Sequence, residues 1–182
     1  MKFNLIVVFL IIAIFGAYSQ ASGTRIVVQT EHYNSITPSM QVVTDKRATG
    51  KYIEIPLRLP HGVKESGPAD TGHAEYKINV PKAGLYQFWA RCRWYDYAGN
   101  SFFILVDAIQ VTSKTPFITD ETYKKWHWVA GPALQLSAGF HTIRIQNHRD
   151  GAKMDQWLFT TAKKNRWQPT RSEKETPQYM VK

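Results

Sequence analysis

The sequence predicts an all-β chain, a β-sandwich of about ten short strands. Three observations carry that expectation. Apolar residues alternate with polar ones over short runs instead of recurring at helical spacing. Gly, Pro, Asn and Asp clusters punctuate the chain at intervals of about 8–12 residues. A chain of 182 residues suits one domain, and 43% hydrophobic residues are enough for its core.

Taken in order, Ile26 to Glu31 (IVVQTE) and Met40 to Thr44 (MQVVT) are β-branched runs. Tyr52 to Pro56 (YIEIP) alternates and stops at proline. Leu57 to Thr71 reads as a long Pro/Gly-rich loop. Ala74 to Val80 (AEYKINV) alternates until Pro81, and Lys82-Ala83-Gly84 is a turn. Leu85 to Tyr95 (LYQFWARCRWY) is a long strand. It places Tyr86, Phe88, Ala90, Cys92 and Trp94 on one face and Gln87, Trp89, Arg91, Arg93 and Tyr95 on the other. Ser101 to Asp107 follows. Lys124 to Val129 (KKWHWV) puts Trp126 and Trp128 on one side; Leu134 and Leu136 mark a separate short strand closed by Ser137-Ala138-Gly139. Phe140 to Asn147 alternates, with Phe140, Thr142, Arg144 and Gln146 on one face. Met154 to Thr160 (MDQWLFT) is the last strand. Residues 162–182 carry few apolar side chains and no strand pattern, so they read as an extended arm, with residues 22–161 as the sandwich.

The N-terminus has different chemistry. Lys2 precedes an uninterrupted apolar run, Leu5 to Ala17, and small residues follow at Ala17, Ser19 and Ala21. Residues 1–21 therefore read as a secretory signal peptide. A helix of this run spans about 20 Å, short of the ~30 Å hydrocarbon core. The expected location is secreted, periplasmic or extracellular, or membrane-anchored if the segment is retained. Cys92 is the only cysteine, so an internal disulfide is excluded.

The formal net charge is +9, unevenly placed: the arm holds six basic residues (Lys163, Lys164, Arg166, Arg171, Lys174, Lys182) against Glu173 and Glu175. The mildly basic body argues against a nucleic-acid partner. It is compatible with an acidic polysaccharide or an anionic envelope. Enzyme signatures are missing: there is no Gly-x-Ser-x-Gly, no His-Glu-x-x-His and no Gly-rich phosphate loop, and the six His are scattered without metal-ligand spacing. The chain reads as a binding protein and not as an enzyme. In the stretch from Cys92 to Phe103 (CRWYDYAGNSFF), turn residues are flanked by Trp94, Tyr95 and Tyr97. These rings form either a lid on the core or a platform for a flat ligand, and the alternation places Trp94 in the core.

Several segments together resemble family 6 and family 35 carbohydrate-binding modules. They are Val28 to Tyr33 (VQTEHY), Lys51 to Pro56 (KYIEIP), Ala74 to Gly84 (AEYKINVPKAG), Tyr86 to Asp107, Gly139 to Ile145 (GFHTIRI) and Arg149 to Thr161 (RDGAKMDQWLFTT). The resemblance implies a jelly-roll sandwich of the galactose-binding-like type and a non-catalytic module that binds a polysaccharide or glycan. It also implies a structural calcium where the first and last strands meet, held by Glu31 and Asp155, with Gln29 where the family often has its first Glu. For the sugar, it points to Trp126 as the stacking residue, with Tyr95, Tyr97 and Asn100 on the adjoining loop. Lys153 stands where the family has a hydrogen-bonding Asn; beside Arg149 it would suit a carboxylate or sulfate. The alternative is a structural subunit of a protein assembly at the membrane surface or envelope, with the C-terminal arm as its docking segment.

Overall fold

The computed structural model describes residues 23–57, 72–110 and 117–182. The segment read as a signal peptide and most of the loop expected at Leu57 to Thr71 lie outside the described residues. Two antiparallel sheets face each other. The first contains β1 (Arg25–Gln29), β3 (Gln41–Asp45), β4 (Gly50–Glu54), β6 (Gly84–Arg93), β10 (His127–Leu136) and β12 (Lys153–Thr160). The second contains β2 (Ser35–Ile36), β5 (His73–Val80), β7 (Ser101–Val106), β8 (Ile109–Gln110), β9 (Phe117–Ile118) and β11 (Gly139–Asn147). The sandwich expected from the alternation is therefore the fold. The two-residue strands β2, β8 and β9 went unforeseen because their partners, and not their own patterns, make them strands.

The first sheet runs β10-β6-β12-β4-β3, and β1 pairs with β12 beyond β4. β12 thus has β6 along one side and, on the other, first β4 at Lys153 and Met154 and then β1 from Gln156 onward. The change of partner falls at a bulge, where Asp155 is the extra residue. Thr30 closes the gap: its amide donates to Asp155 O at 3.0 Å and its hydroxyl to Met154 O at 2.8 Å.

The core lies between the sheets. Tyr86, Phe88, Ala90, Cys92 and Trp94 are all buried, as their shared face requires. Trp157 packs edge-on to Tyr76 at 5.4 Å and to Phe159 at 5.6 Å; Trp94 meets Phe102 and Phe117 at 5.9 and 5.8 Å. Such pairs add about 0.5–1.5 kcal/mol each beyond area burial. Burial pushes the Cys92 thiol well above its usual range, so it acts as a small apolar side chain.

One expectation is corrected. Residues 124–129 and 134–136 do not form two strands: β10 is continuous, with its register shifted between Ala130 and Ala133. Pro132 has no N–H for the ladder. The Gln87 carboxamide fills the break, donating to Gly131 O at 2.6 Å and to Phe88 O at 2.9 Å. Only glycine fits at 131, because a Cβ there would stand 2.6 Å from the Phe88 ring.

The C-terminal arm, read as extended and in the alternative as a docking segment, runs along its own domain. Residues 162–182 form a strap across the outer face of the first sheet. A turn at 163–167 seats Trp167 on a small apolar cluster of Val27, Trp89 and Leu158, beside Trp128. Trp128 Nε1 donates to Arg171 O at 2.7 Å. The Gln156 carboxamide both donates to and accepts from the Glu173 main chain, at 2.8 and 3.0 Å. Thr176 then pairs with the free edge of β1: Val27 N donates to its hydroxyl at 2.8 Å, and Thr176 N donates to Val27 O at 3.1 Å. A single 3-10 turn (Pro177–Tyr179) carries the chain over to the second sheet, where Met180 bridges Ile78 and Val181 N donates to Lys77 O at 2.9 Å. The strap covers part of the β1 and β5 edges, which would otherwise invite pairing with another chain. Trp167, Glu173 and Glu175 all make their contacts on its own domain.

Candidate functional site

The loop between β6 and β7 is built by Asp96. Its carboxylate accepts the amides of Ala98 and Gly99, both at 2.8 Å. Those two bonds hold the carboxyl below its usual range. Tyr95 N donates to Gly99 O at 2.8 Å. A Cβ at Gly99 would stand 2.5 Å from Asp150 O, so glycine there lets the β11–β12 loop pass directly against this turn.

The tight turn throws two rings outward: Tyr97 is 82% exposed and Tyr95 38%. Lys124 Nζ lies 5.8 Å from the centroid of the Tyr95 ring. Asn100 donates from its side chain to Tyr97 O and accepts Thr119 N at 3.1 Å on its carbonyl. Arg149 N donates to Ser101 O at 3.3 Å. The structure therefore gathers Tyr95, Tyr97, Asn100 and Arg149 at one end of the sandwich. The choice between lid and platform resolves by residue: Trp94 and Phe102 are buried, while Tyr95 and Tyr97 form the rim.

Trp126 and Lys153 sit on the outer face of the first sheet, with Lys153 in register with Arg93. The Trp126 ring meets Tyr52 edge-on at 5.2 Å and carries the Arg91 guanidinium 5.5 Å from its centroid. Its Nε1 is buried without a partner. Lys153 bonds the Tyr52 hydroxyl at 3.1 Å and forms an ion pair with Glu54, which also accepts from Gln41 Nε2 at 2.7 Å. Burial works against the Lys153 charge, yet the bonds to Glu54 and Tyr52 outweigh it and leave the ammonium above its usual range. Lys153 is thus a matched charge and not an open cation waiting for an anion. Through Tyr52 it is linked to Trp126, and the ring contacts of Trp126 are with Tyr52 and Arg91, not Tyr97. Tyr52, Glu54, Arg91 and Lys124 were not anticipated at the site. Their alternation signalled which face they share, but nothing local signalled their partners.

Of the residues expected to hold a metal, Gln29 and Asp155 meet through Thr49. The Thr49 hydroxyl lies 2.6 Å from Asp155 Oδ1 and 2.9 Å from Gln29 Oε1. Glu31 Oε2 is buried with no hydrogen-bond partner. Its carboxyl is pushed above the usual range, by burial first and then by the nearby negative charges of Asp155 and Glu175. Two carboxylates, one with an orphaned buried oxygen, and a carboxamide oxygen suit a hard cation such as calcium. The other oxygen of Asp155 is taken by Arg91. No three His, Cys, Asp or Glu side chains gather as a metal site among the described residues, so the set is poorer in charge than a full carboxylate cage.

No helix among the described residues is long and apolar enough to cross a membrane. No protein-family model and no curated protein matches the sequence. Solved structures do match. A native family 35 carbohydrate-binding module from Clostridium thermocellum superposes with a TM-score of 0.56 at 20% identity, over 76% of this chain and 99% of that one. A family 35 module from Paenibacillus barcinonensis gives 0.55 at 18% identity, over 75% and 98%. A family 6 module from Cellvibrio mixtus lichenase 5A, in complex with cellotriose, gives 0.52 at 16% identity, over 75% and 97%. Almost the whole of each module is matched, and about a quarter of this chain lies outside the match. At these identities the likeness establishes architecture: the chain has the β-sandwich fold of the family 35 and family 6 carbohydrate-binding modules.

Proposed function

We propose that the chain is a non-catalytic carbohydrate-binding module, acting outside the cytoplasm, that holds a polysaccharide at the loop end. The observation that carries this reading is the pair of outward rings, Tyr95 and Tyr97, on a turn pinned by Asp96 and Gly99 and flanked by Lys124, Asn100 and Arg149. A pyranose presents a flat C–H face that stacks on such a ring, and a rigid rim keeps the ordering cost of binding low. The Lys124 ammonium beside Tyr95 favours an acidic sugar. Trp126, Arg91 and Lys153 act from behind, fixing the sheet that supports the rim. Calcium, when bound, would be held by Gln29, Glu31 and Asp155; it would supply the positive charge that the orphaned Glu31 oxygen lacks and tie the end of β1 to the β12 bulge.

The test is affinity gel electrophoresis of the protein against neutral and uronic-acid polysaccharides, with Tyr97→Ala. Because Tyr97 projects into solvent, the substitution leaves the melting temperature unchanged and lowers affinity by about tenfold, the equivalent of ~1.4 kcal/mol of lost stacking. Wild-type affinity in Tyr97→Ala, or no retardation by any polysaccharide, would overturn the reading.

A further inference from the structure

We infer that the outward face of the C-terminal strap is a second binding surface, a cationic track for a linear polyanionic polysaccharide. The strap sorts its charges by side. Glu173 turns inward to Arg25, with Oε2 3.1 Å from Nη1, and Glu175 turns inward to His32 and to the Gln29 amide, at 2.9 and 3.0 Å. The six basic residues, Lys163, Lys164, Arg166, Arg171, Lys174 and Lys182, are all exposed. None of the six pairs with a carboxylate among the described residues. Lys174 shows the sorting at closest range: it points out between two acids that point in, as alternation along an extended chain dictates. The outer surface of the strap therefore carries positive charge only.

The cations sit on an ordered main chain. Arg171 is held by the Trp128 indole, Glu173 by Gln156, Thr176 by Val27 and Val181 by Lys77. From β10 to β1 the strap crosses three strand spacings, about 14 Å, which the five residue steps from Arg171 to Thr176 span when extended. Arg171 and Lys174 are thus strung along a path of fixed length, with Lys163, Lys164 and Arg166 on the turn that leads into it, an ordered array that matches a linear polymer and lowers the ordering cost of binding it.

The same geometry selects among polyanions. Trp167, Tyr179 and Met180 face the sandwich, so the strap offers a bilayer no apolar side chain to insert. It also presents no outward ring on which a nucleic-acid base could stack. What remains is recognition of regularly spaced carboxylates or sulfates on a chain that needs no apolar anchor. The inference leans on the proposed glycan reading only for this choice of polymer, because the strap and the loop end share no residue.

The test compares the protein with a variant carrying Lys163→Gln, Lys164→Gln, Arg166→Gln and Lys174→Gln. None of these side chains holds the strap in place, so the melting temperature stays as in the wild type. The probes are polygalacturonate and a neutral glucan, in salt from about 0.01 M to about 0.15 M, over which the Debye length falls from ~30 Å to ~8 Å. We expect the variant to lose about tenfold in affinity for polygalacturonate at low salt, to show a flatter salt dependence, and to bind the neutral glucan as the wild type does. Tyr97→Ala would keep the steep salt dependence. Equal binding of polygalacturonate by variant and wild type would overturn the track. So would wild-type binding of phosphatidylserine vesicles or a single-stranded oligonucleotide as tightly as polygalacturonate. Loss of glucan binding in Tyr97→Ala while the four-site variant is unaffected with both polymers would leave the loop-end site standing without the track. Polygalacturonate binding that depends on the four cations but not on Tyr97 would do the reverse.

Discussion

The two sheets treat their outer faces differently. In the second sheet, β5 alternates buried and open positions almost without exception, and on β11 Phe140 stands 75% exposed on the outer side. In the first sheet, β12 is buried at every position from Met154 to Thr160. The inner residues of β12 face the core in both cases; what differs is the cover outside. A sheet with one wet face alternates, whereas a strand covered on both faces reads as a continuous apolar run. Here the second cover is a segment with no strand pattern of its own.

The largest effect that separates the two layers comes from their tryptophans. Trp157 lies between the sheets among Tyr76, Phe88 and Phe159, and Trp157→Ala should cost about 3–5 kcal/mol in urea unfolding. Trp167 is half-buried on the outer cluster, and Trp167→Ala should cost about 1–2 kcal/mol, or roughly 2–8 °C in melting temperature for a domain of this size. Its signature is local: amide exchange should quicken at Val27 and Thr176, whose hydrogen bonds the strap supplies, and stay unchanged in β7 and β11. Equal costs for the two substitutions would make the strap part of the main core. No cost for Trp167→Ala would mean that its main-chain bonds suffice.

Much of this contrast could be read from the chain. The face of Tyr86, Phe88, Ala90, Cys92 and Trp94 followed from period-two spacing alone. The cover was also signalled, by consecutive apolar residues in Ile26-Val27-Val28, Phe88-Trp89-Ala90 and Trp157-Leu158-Phe159, each too apolar for one wet face. The strap itself gave no such signal, because one ring and a series of main-chain hydrogen bonds hold it, and hydrogen bonding leaves no apolar period. At the candidate site, the outward turn at Tyr97 was legible from its turn residues. The neutralisation of Lys153 was not, since Glu54 is 99 positions away; nor was the Arg91–Asp155 pair, 64 positions apart.

A smaller effect tests the join between strap and sheet. The folded chain holds the Glu31 proton more tightly than the unfolded chain does, because burial disfavours its charge. Folding then takes up a proton, and stability falls as pH rises from the ordinary carboxylate range through the higher folded value. In EDTA the protein should therefore lose a little stability as pH rises above the ordinary carboxylate range, an effect kept small because the residue is only half-buried and water screens it. Glu31→Gln should remove that slope and melt higher than the wild type at neutral pH. Calcium should raise the wild-type melting temperature and leave Glu31→Gln unmoved. Identical melting in EDTA and calcium would overturn the metal site, and a flat pH response would mean that the buried oxygen has found another partner.

The smallest expected effect is the one that would break the comparison. Phe140 projects from the uncovered face of the second sheet, beside Asn79 across the strand pair. A ring left in water contributes little to folding, so Phe140→Ser should change stability by no more than about 0.5 kcal/mol and leave the sedimentation coefficient as it was. That holds only if this face is open in solution. A face with an exposed aromatic ring is also where a second copy of the chain would bury apolar area. If Phe140→Ser lowered stability by far more than this, in a manner that depended on protein concentration, the ring would be buried in an assembly. The two outer faces would then be alike after all: one covered by the chain's own C-terminus, the other by its neighbour.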